Sequence, residues 1–103
     1  MRRKPIQLRQ VAERDITLAV AWYAANANRD VANRYIDALQ EAYLVIASKP
    51  KIGSQRYATT LEIPELRSLT LRKFPFHIFY VEQVHRIEIW RVLNSSRDIP
   101  NVF

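Results

Sequence analysis

His77 is the side chain of this sequence best suited to acid–base chemistry, because an imidazole changes charge near neutral pH. A lone histidine inside an apolar strand is more often a satisfied structural group, and only its geometry decides between the two. His85 falls in a turn between two strand-like runs and reads as exposed. Two histidines without an adjoining carboxylate pair make a poor metal set, so neither a metal nor another cofactor is expected. The 103 residues include no cysteine, which excludes a thiolate metal site, a disulfide and a cysteine nucleophile. A single glycine excludes a glycine-rich phosphate loop. No base–acid pair stands out to activate a serine.

Charge says more. The chain carries 16 basic and 10 acidic residues, a net charge of +6, and twelve of the basic residues are arginine. Guanidinium groups fork onto phosphates and carboxylates in a way that lysine does not. Such a surface suits nucleic acid, an enzyme that handles it, or an acidic protein, and charge alone does not choose among them. Arg91, set among apolar strand residues, either pairs with Glu88 or Glu82 or projects into a functional face. Arg97-Asp98 reads as a local ion pair that helps orient the tail.

These groups need a scaffold, and the pattern of apolar residues supplies one. Ile6–Arg9 suits a short strand. From Val11 to Asn26, Ala12, Ile16, Ala19, Val20 and Tyr23 recur at helical spacing, and Leu18 and Trp22 widen the stripe. Asn28 is a good cap for a second helix running to about Ala47, with Asp30 at its positive end. Ala32, Tyr35, Ile36, Leu39, Ala42, Tyr43 and Ile46 form its buried stripe; Asp30, Arg34, Asp37 and Glu41 face water. Pro50 stops it. Gly53 is expected where the backbone needs a positive φ, and residues 54–64 read as an irregular loop. Three strands follow: Leu66–Arg72, Phe76–Val81 and Ile87–Leu93. In the last, Ile87 and Ile89 should share one face, and Trp90 and Val92 the other.

The expected fold is α+β: a strand, a helical hairpin, then three antiparallel strands, with both helices on one face of a small antiparallel sheet. About half of the residues are apolar, enough for one core and one domain over residues 1–103. No stretch approaches the ~20 apolar residues of a membrane span. The basic start Met1–Lys4 leads into Pro5, not an apolar run, so a signal peptide is not expected. The absence of cysteine suits a reducing cytoplasm. Two helices cover one sheet face, yet the last two strands are apolar on both. Either Phe79 and Val81 lie on an open face that awaits a partner, or residues 54–64 or the C-terminal tail fold over it.

Taken in order, several short motifs carry a resemblance. They are Ala12, Asp15, Ile16 and Tyr23; Leu39; Pro50-Lys51-Ile52-Gly53 with Arg56; Leu66-Arg67; Phe79-Tyr80; and Ile87–Leu93 followed by Ser96-Arg97-Asp98. Over nearly its whole length the chain resembles the ParE/RelE toxin superfamily, and within it the ParE branch of type II toxin–antitoxin toxins. That resemblance implies a cytoplasmic toxin held in a hetero-oligomer by a ParD-like antitoxin. The ParE branch is associated with inhibition of DNA gyrase, so nucleic acid would be engaged only indirectly. The RelE branch cleaves messenger RNA on the ribosome, and a third outcome is a homologue that binds antitoxin without toxicity.

The resemblance also locates the groups a RelE-like nuclease would need. Lysines of that branch fall at Ser68 and Thr70, an arginine at His77 and a tyrosine at Phe103; Arg97 alone matches a basic position. The implied reading is therefore a toxin that acts by binding, not an enzyme. Were it a nuclease, His77 and Arg97 would carry catalysis, with Glu88 as a third member. Arg56, Arg67, Arg72, Arg91, Arg97 and Phe103 are the candidate target contacts. Trp22, Phe79 and Val81 are the candidate antitoxin contacts.

Overall fold

A computed structural model describes residues 3–103, so Met1 and Arg2 of the basic start lie outside the described residues. The order is β1 (Ile6–Leu8), α1 (Gln10–Asn26), α2 (Arg29–Ser48), a 3-10 turn (Pro50–Ile52), α3 (Arg56–Thr60), β2 (Leu66–Thr70), β3 (Phe76–Glu82), β4 (Ile87–Asn94) and α4 (Ile99–Val102). The sheet order is β1-β4-β3-β2. β2, β3 and β4 are antiparallel, but β1 lies parallel to β4, pairing Ile6 with Ile87 and Leu8 with Ile89. The sheet is thus mixed, not wholly antiparallel. Residue periodicity reports which face a strand buries and is blind to its direction.

The helical hairpin forms where the apolar spacing places it. Asn28 caps α2, its side-chain oxygen accepting from the Val31 amide at 2.9 Å. Ala12, Ala19, Tyr35, Leu39, Ala42 and Ile46 are buried against Phe76, Ile78, Tyr80, Ile87, Ile89 and Val92. Tyr23 packs into this core, whereas Leu18 and Trp22 stay 63% and 60% exposed. Leu18 and Trp22 therefore extend an outer stripe of α1 and do not widen its buried one.

The opposite face is covered by the chain itself. Residues 54–64 are not an irregular loop throughout; they contain α3, and with α4 they close over a second core of Ala58, Leu66, Phe79, Val81, Leu93 and Ile99. Phe79 is 0% and Val81 7% exposed, so the open apolar face is not formed. The alternative, in which loop and tail fold over it, is what the chain adopts.

Two local expectations need correction. Gly53 has an ordinary φ of −68°, and the positive values fall at Glu62 and Lys73. Its lack of a side chain serves a close approach: a Cβ there would stand 2.6 Å from the Tyr80 hydroxyl. In β4, a bulge shifts the register so that Phe79 faces Arg91 while Tyr80 faces Ile89. The extra residue reverses the alternation beyond Trp90, which joins the second core while Val92 joins the first.

Candidate functional site

The bulge re-aims Arg91. Its Nε and Nη2 donate to the two carboxylate oxygens of Asp15 at 2.8 and 2.9 Å, joining β4 to α1. Nη1 donates to the main-chain oxygens of Val102 and Phe103 at 2.7 and 2.9 Å. Asp15 accepts a third bond, from the Val92 amide at 3.0 Å. The Arg91 partner is thus Asp15, not Glu88 or Glu82. Hydrogen bonding to this carboxylate raises the Arg91 pKa, against a smaller opposing effect of burial.

Glu88 is the centre of a separate node. Arg86 reaches Oε2 at 2.8 Å and Arg9 reaches Oε1 at 3.2 Å. Gln83 and Trp90 also donate to Oε1, and the Arg9 guanidinium lies 3.7 Å from the Trp90 ring centroid. The Arg86 hydrogen bond is the main cause holding the Glu88 carboxyl below its ordinary value of 4.5, with Trp90 and Arg9 adding to it against desolvation. A depressed folded-state pKa contributes stability above the unfolded value and loses it as pH falls through the folded one. Urea unfolding followed from pH 6 downward should therefore show a stability loss beginning near 4.5. Glu88→Gln should flatten that acid limb; an unchanged limb would assign it to other groups.

His77 lies on the second face. Its Nδ1 is 3.0 Å from the Thr70 hydroxyl, and its ring sits 6.1 Å from Tyr57 and 6.0 Å from Phe79. Burial lowers its pKa, and the nearby Arg56 charge lowers it further. Both effects favour the neutral imidazole over the charged one. Its strand partner is Leu93, whereas Glu88 pairs with Val81 near the other end of the hairpin. At ~3.3 Å per residue the four positions from His77 to Val81 span roughly 13 Å, so His77 and Glu88 do not form a dyad. Ser68 is 7% exposed beneath the same face. Phe103 packs edge-on against Phe79, with centroids 5.1 Å apart.

The five candidate arginines do not share one surface. Arg67 donates to the carbonyls of Lys51 and Gly53 at 3.0 and 2.9 Å and holds the 3-10 turn. Arg91 holds the tail. Arg56 is exposed over Tyr57, 4.9 Å from the ring centroid. Arg72 is exposed beside Lys73 and Phe74 in a hollow that α2 lines with Arg34, Asp37 and Glu41. Arg97 lines a groove of about 370 Å³ between α1 and β4, together with Asp15, Leu18, Trp22, Tyr23 and Phe76. The expected Arg97–Asp98 ion pair is not formed; Asp98 instead accepts from the Asn101 side chain. Asp15, a motif residue in the sequence but not among the candidate site residues, belongs to the site through a partner that lies 76 positions away.

Among the described residues no group of histidines and acids is arranged to hold a metal ion. No helix there is long and apolar enough to cross a membrane. The family model described as "ParE toxin of type II toxin-antitoxin system, parDE" matches residues 6–99. A solved structure entitled "Chromosomal ParDE TA system from P. aeruginosa" is similar in fold, with a TM-score of 0.73 and 20% identity. The match covers 88% of this chain and 95% of that one. No curated protein sequence matches.

Proposed function

The chain belongs to the ParE toxin family of type II toxin–antitoxin systems, and on that premise we propose that it inhibits DNA gyrase by binding and is neutralised by a ParD-like antitoxin. The observation that carries a binding mode of action is the dispersal of the groups a nuclease would combine. His77 lies among Tyr57, Thr70 and Phe79 on the second face, Glu88 is tied to Arg86 and Arg9, and Arg97 lines the groove beside α1. General acid–base cleavage needs its donors and acceptors within hydrogen-bond reach of one phosphate. Arg56 and Phe103 on the second face and Arg97 at the groove remain as target contacts. Arg67 and Arg91 serve that surface by holding the elements around it.

The antitoxin contact is proposed at the groove. Leu18 and Trp22 project into water along α1, and Arg97 makes no ion pair among the described residues. An amphipathic antitoxin segment could cover the two apolar side chains and direct a carboxylate to Arg97, masking that target contact. Phe79 and Val81 could join such an interface only after α3 or α4 moves aside, so Trp22 carries this part of the reading.

The experiment is paired: purified chain added to a gyrase supercoiling reaction and to translating ribosomes. Supercoiling should be inhibited, no codon-specific cleavage should occur, and His77→Ala should arrest growth as the unaltered chain does. Cuts that vanish in His77→Ala would replace this reading with ribosome-dependent endonuclease activity. Loss of both effects, with antitoxin binding retained, would mark a homologue that is no longer toxic.

A further inference from the structure

Asp15 sits in α1, remote in sequence from the C-terminal segment, yet its carboxylate determines where the guanidinium that holds that segment can point. Parallel pairing of β1 with β4 ends at Leu8 and Ile89, followed by one bond from the Arg9 amide to the Ile89 carbonyl. Beyond that point no strand among the described residues lies on that edge of β4, and Asp15 takes the strand's place by accepting from the Val92 amide. The same carboxylate receives one edge of the Arg91 guanidinium, through Nε and Nη2. A guanidinium is planar, so docking Nε and Nη2 on one carboxylate fixes the direction of Nη1. That nitrogen then meets the main-chain oxygens of Val102 and Phe103. The side chains of Arg91 and Asp15 are only 15% and 11% exposed, so water competes weakly for the arrangement.

Asn101 bonds only to neighbouring Asp98, and the other contacts that hold the segment to the sheet are apolar. Ile99 is 3% exposed and Phe103 rests on Phe79. Such contacts keep a short helix near the sheet but are not directional; the ionic fork supplies direction. We propose that Asp15 is a positioning residue for the C-terminal segment: acting through Arg91, it sets the docked orientation of residues 99–103 and so shapes the surface that meets the target. The last clause rests on the functional reading above, whereas the positioning itself does not.

The test is backbone amide relaxation of residues 99–103 in the full chain, for Asp15→Ala, Arg91→Ala, the double variant and Asp15→Glu. Order parameters of the unaltered chain should be near ~0.85, and either single substitution should lower them toward ~0.6 or below. Asp15→Glu should recover part of the loss. If Asp15 acts only through Arg91, Asp15→Ala should add nothing in the Arg91→Ala background. Additive losses, or an Asp15→Ala segment as ordered as the original, would overturn the proposal. Should Asp15→Ala not fold, Asp15→Asn serves instead: it keeps an acceptor for the Val92 amide but cannot accept from both Nε and Nη2 of Arg91. Tyr80→Phe, which weakens the 3-10 turn and leaves the tail untouched, controls for general destabilisation and should leave residues 99–103 ordered. Growth arrest measured on the same variants should fall in step with tail order. A disordered tail with full arrest refutes the shaping of the target surface; no arrest by the unaltered chain refutes the functional reading instead.

Discussion

Gly53→Ala should destabilise the fold by about 2–5 kcal/mol, although alanine is free to adopt the backbone angles found there. The φ of −68° at this position is ordinary, so no conformational strain is involved. The conflict is steric. A Cβ would lie 2.6 Å from the Tyr80 hydroxyl, 2.9 Å from its ring and 3.0 Å from Arg67 Cβ. The hydroxyl accepts from the Gly53 amide at 2.9 Å and donates to the Pro50 carbonyl at 2.7 Å. A methyl group forces the phenol away from both partners at once, inside a core where Tyr80 is 0% exposed. Overpacking then adds to the cost of an unpaired buried hydroxyl. Urea unfolding of the single variants and of Gly53→Ala with Tyr80→Phe separates the two contributions. Removing the hydroxyl should reduce the Gly53→Ala penalty, because the closest atom is gone. A penalty below ~1 kcal/mol, or one that Tyr80→Phe leaves intact, would contradict this account of the glycine.

The same position shows what could and could not be read from the sequence. A single glycine after a proline suggests backbone freedom, because glycine's conformational range is an intrinsic property. The reason it stands here is the approach of Tyr80, 27 positions away, and no local pattern contains that. Elements governed by local periodicity were legible: the stripes of α1 and α2, the Asn28 cap, and the cores of β2, β3 and β4. Features governed by pairing were not. Three residues of β1 carry no mark of running parallel to β4, and the bulge that reverses β4 alternation is invisible in a run apolar on both faces.

The candidate site divides along the same line. Arginines were identifiable by type, but their jobs depend on partners that folding brings together. The sequence offers Arg91 as a partner of Glu88 or Glu82 or as a residue of the functional face, and α1 brings Asp15 to it at the sheet edge. Arg67 proved to hold the turn at Lys51 and Gly53. Trp22 widens a helical stripe in the sequence and is also a candidate antitoxin contact; it is 60% exposed, outside the buried stripe of α1. Burial of Phe79 and Val81 needed α3, a five-residue helix too short for periodicity to announce.

Phe79→Ala should be the most damaging truncation on the second face, removing about 3–5 kcal/mol of stability. Phe79 is 0% exposed and sits between the two elements that close the face. Its ring meets Tyr57 of α3 at 5.3 Å and Phe103 at 5.1 Å, both edge-on, with His77 at 6.0 Å on the same strand. Truncation leaves a cavity that α3 and the tail would have to fill together, and their shortness leaves each little internal stability with which to do so. A loss of this size is a large share of the ~5–15 kcal/mol that holds a domain folded. The damage should also be local. The first core, built on Tyr35, Phe76 and Ile78 beneath the helices, makes its own contacts and should persist. Limited proteolysis should therefore cut first within residues 54–64 and 99–103, ahead of α1 and α2, with the loss of stability measured by urea unfolding. Growth arrest should fall if the target meets the second face, while antitoxin capture at the Trp22 groove should survive at temperatures where the first core is intact. Trp22→Ala should show the reverse: weak antitoxin capture, nearly unchanged stability and retained arrest. If Phe79→Ala instead abolishes antitoxin capture while tail and α3 remain protected, the antitoxin engages the second face, and the assignment of partners to the two faces must be exchanged.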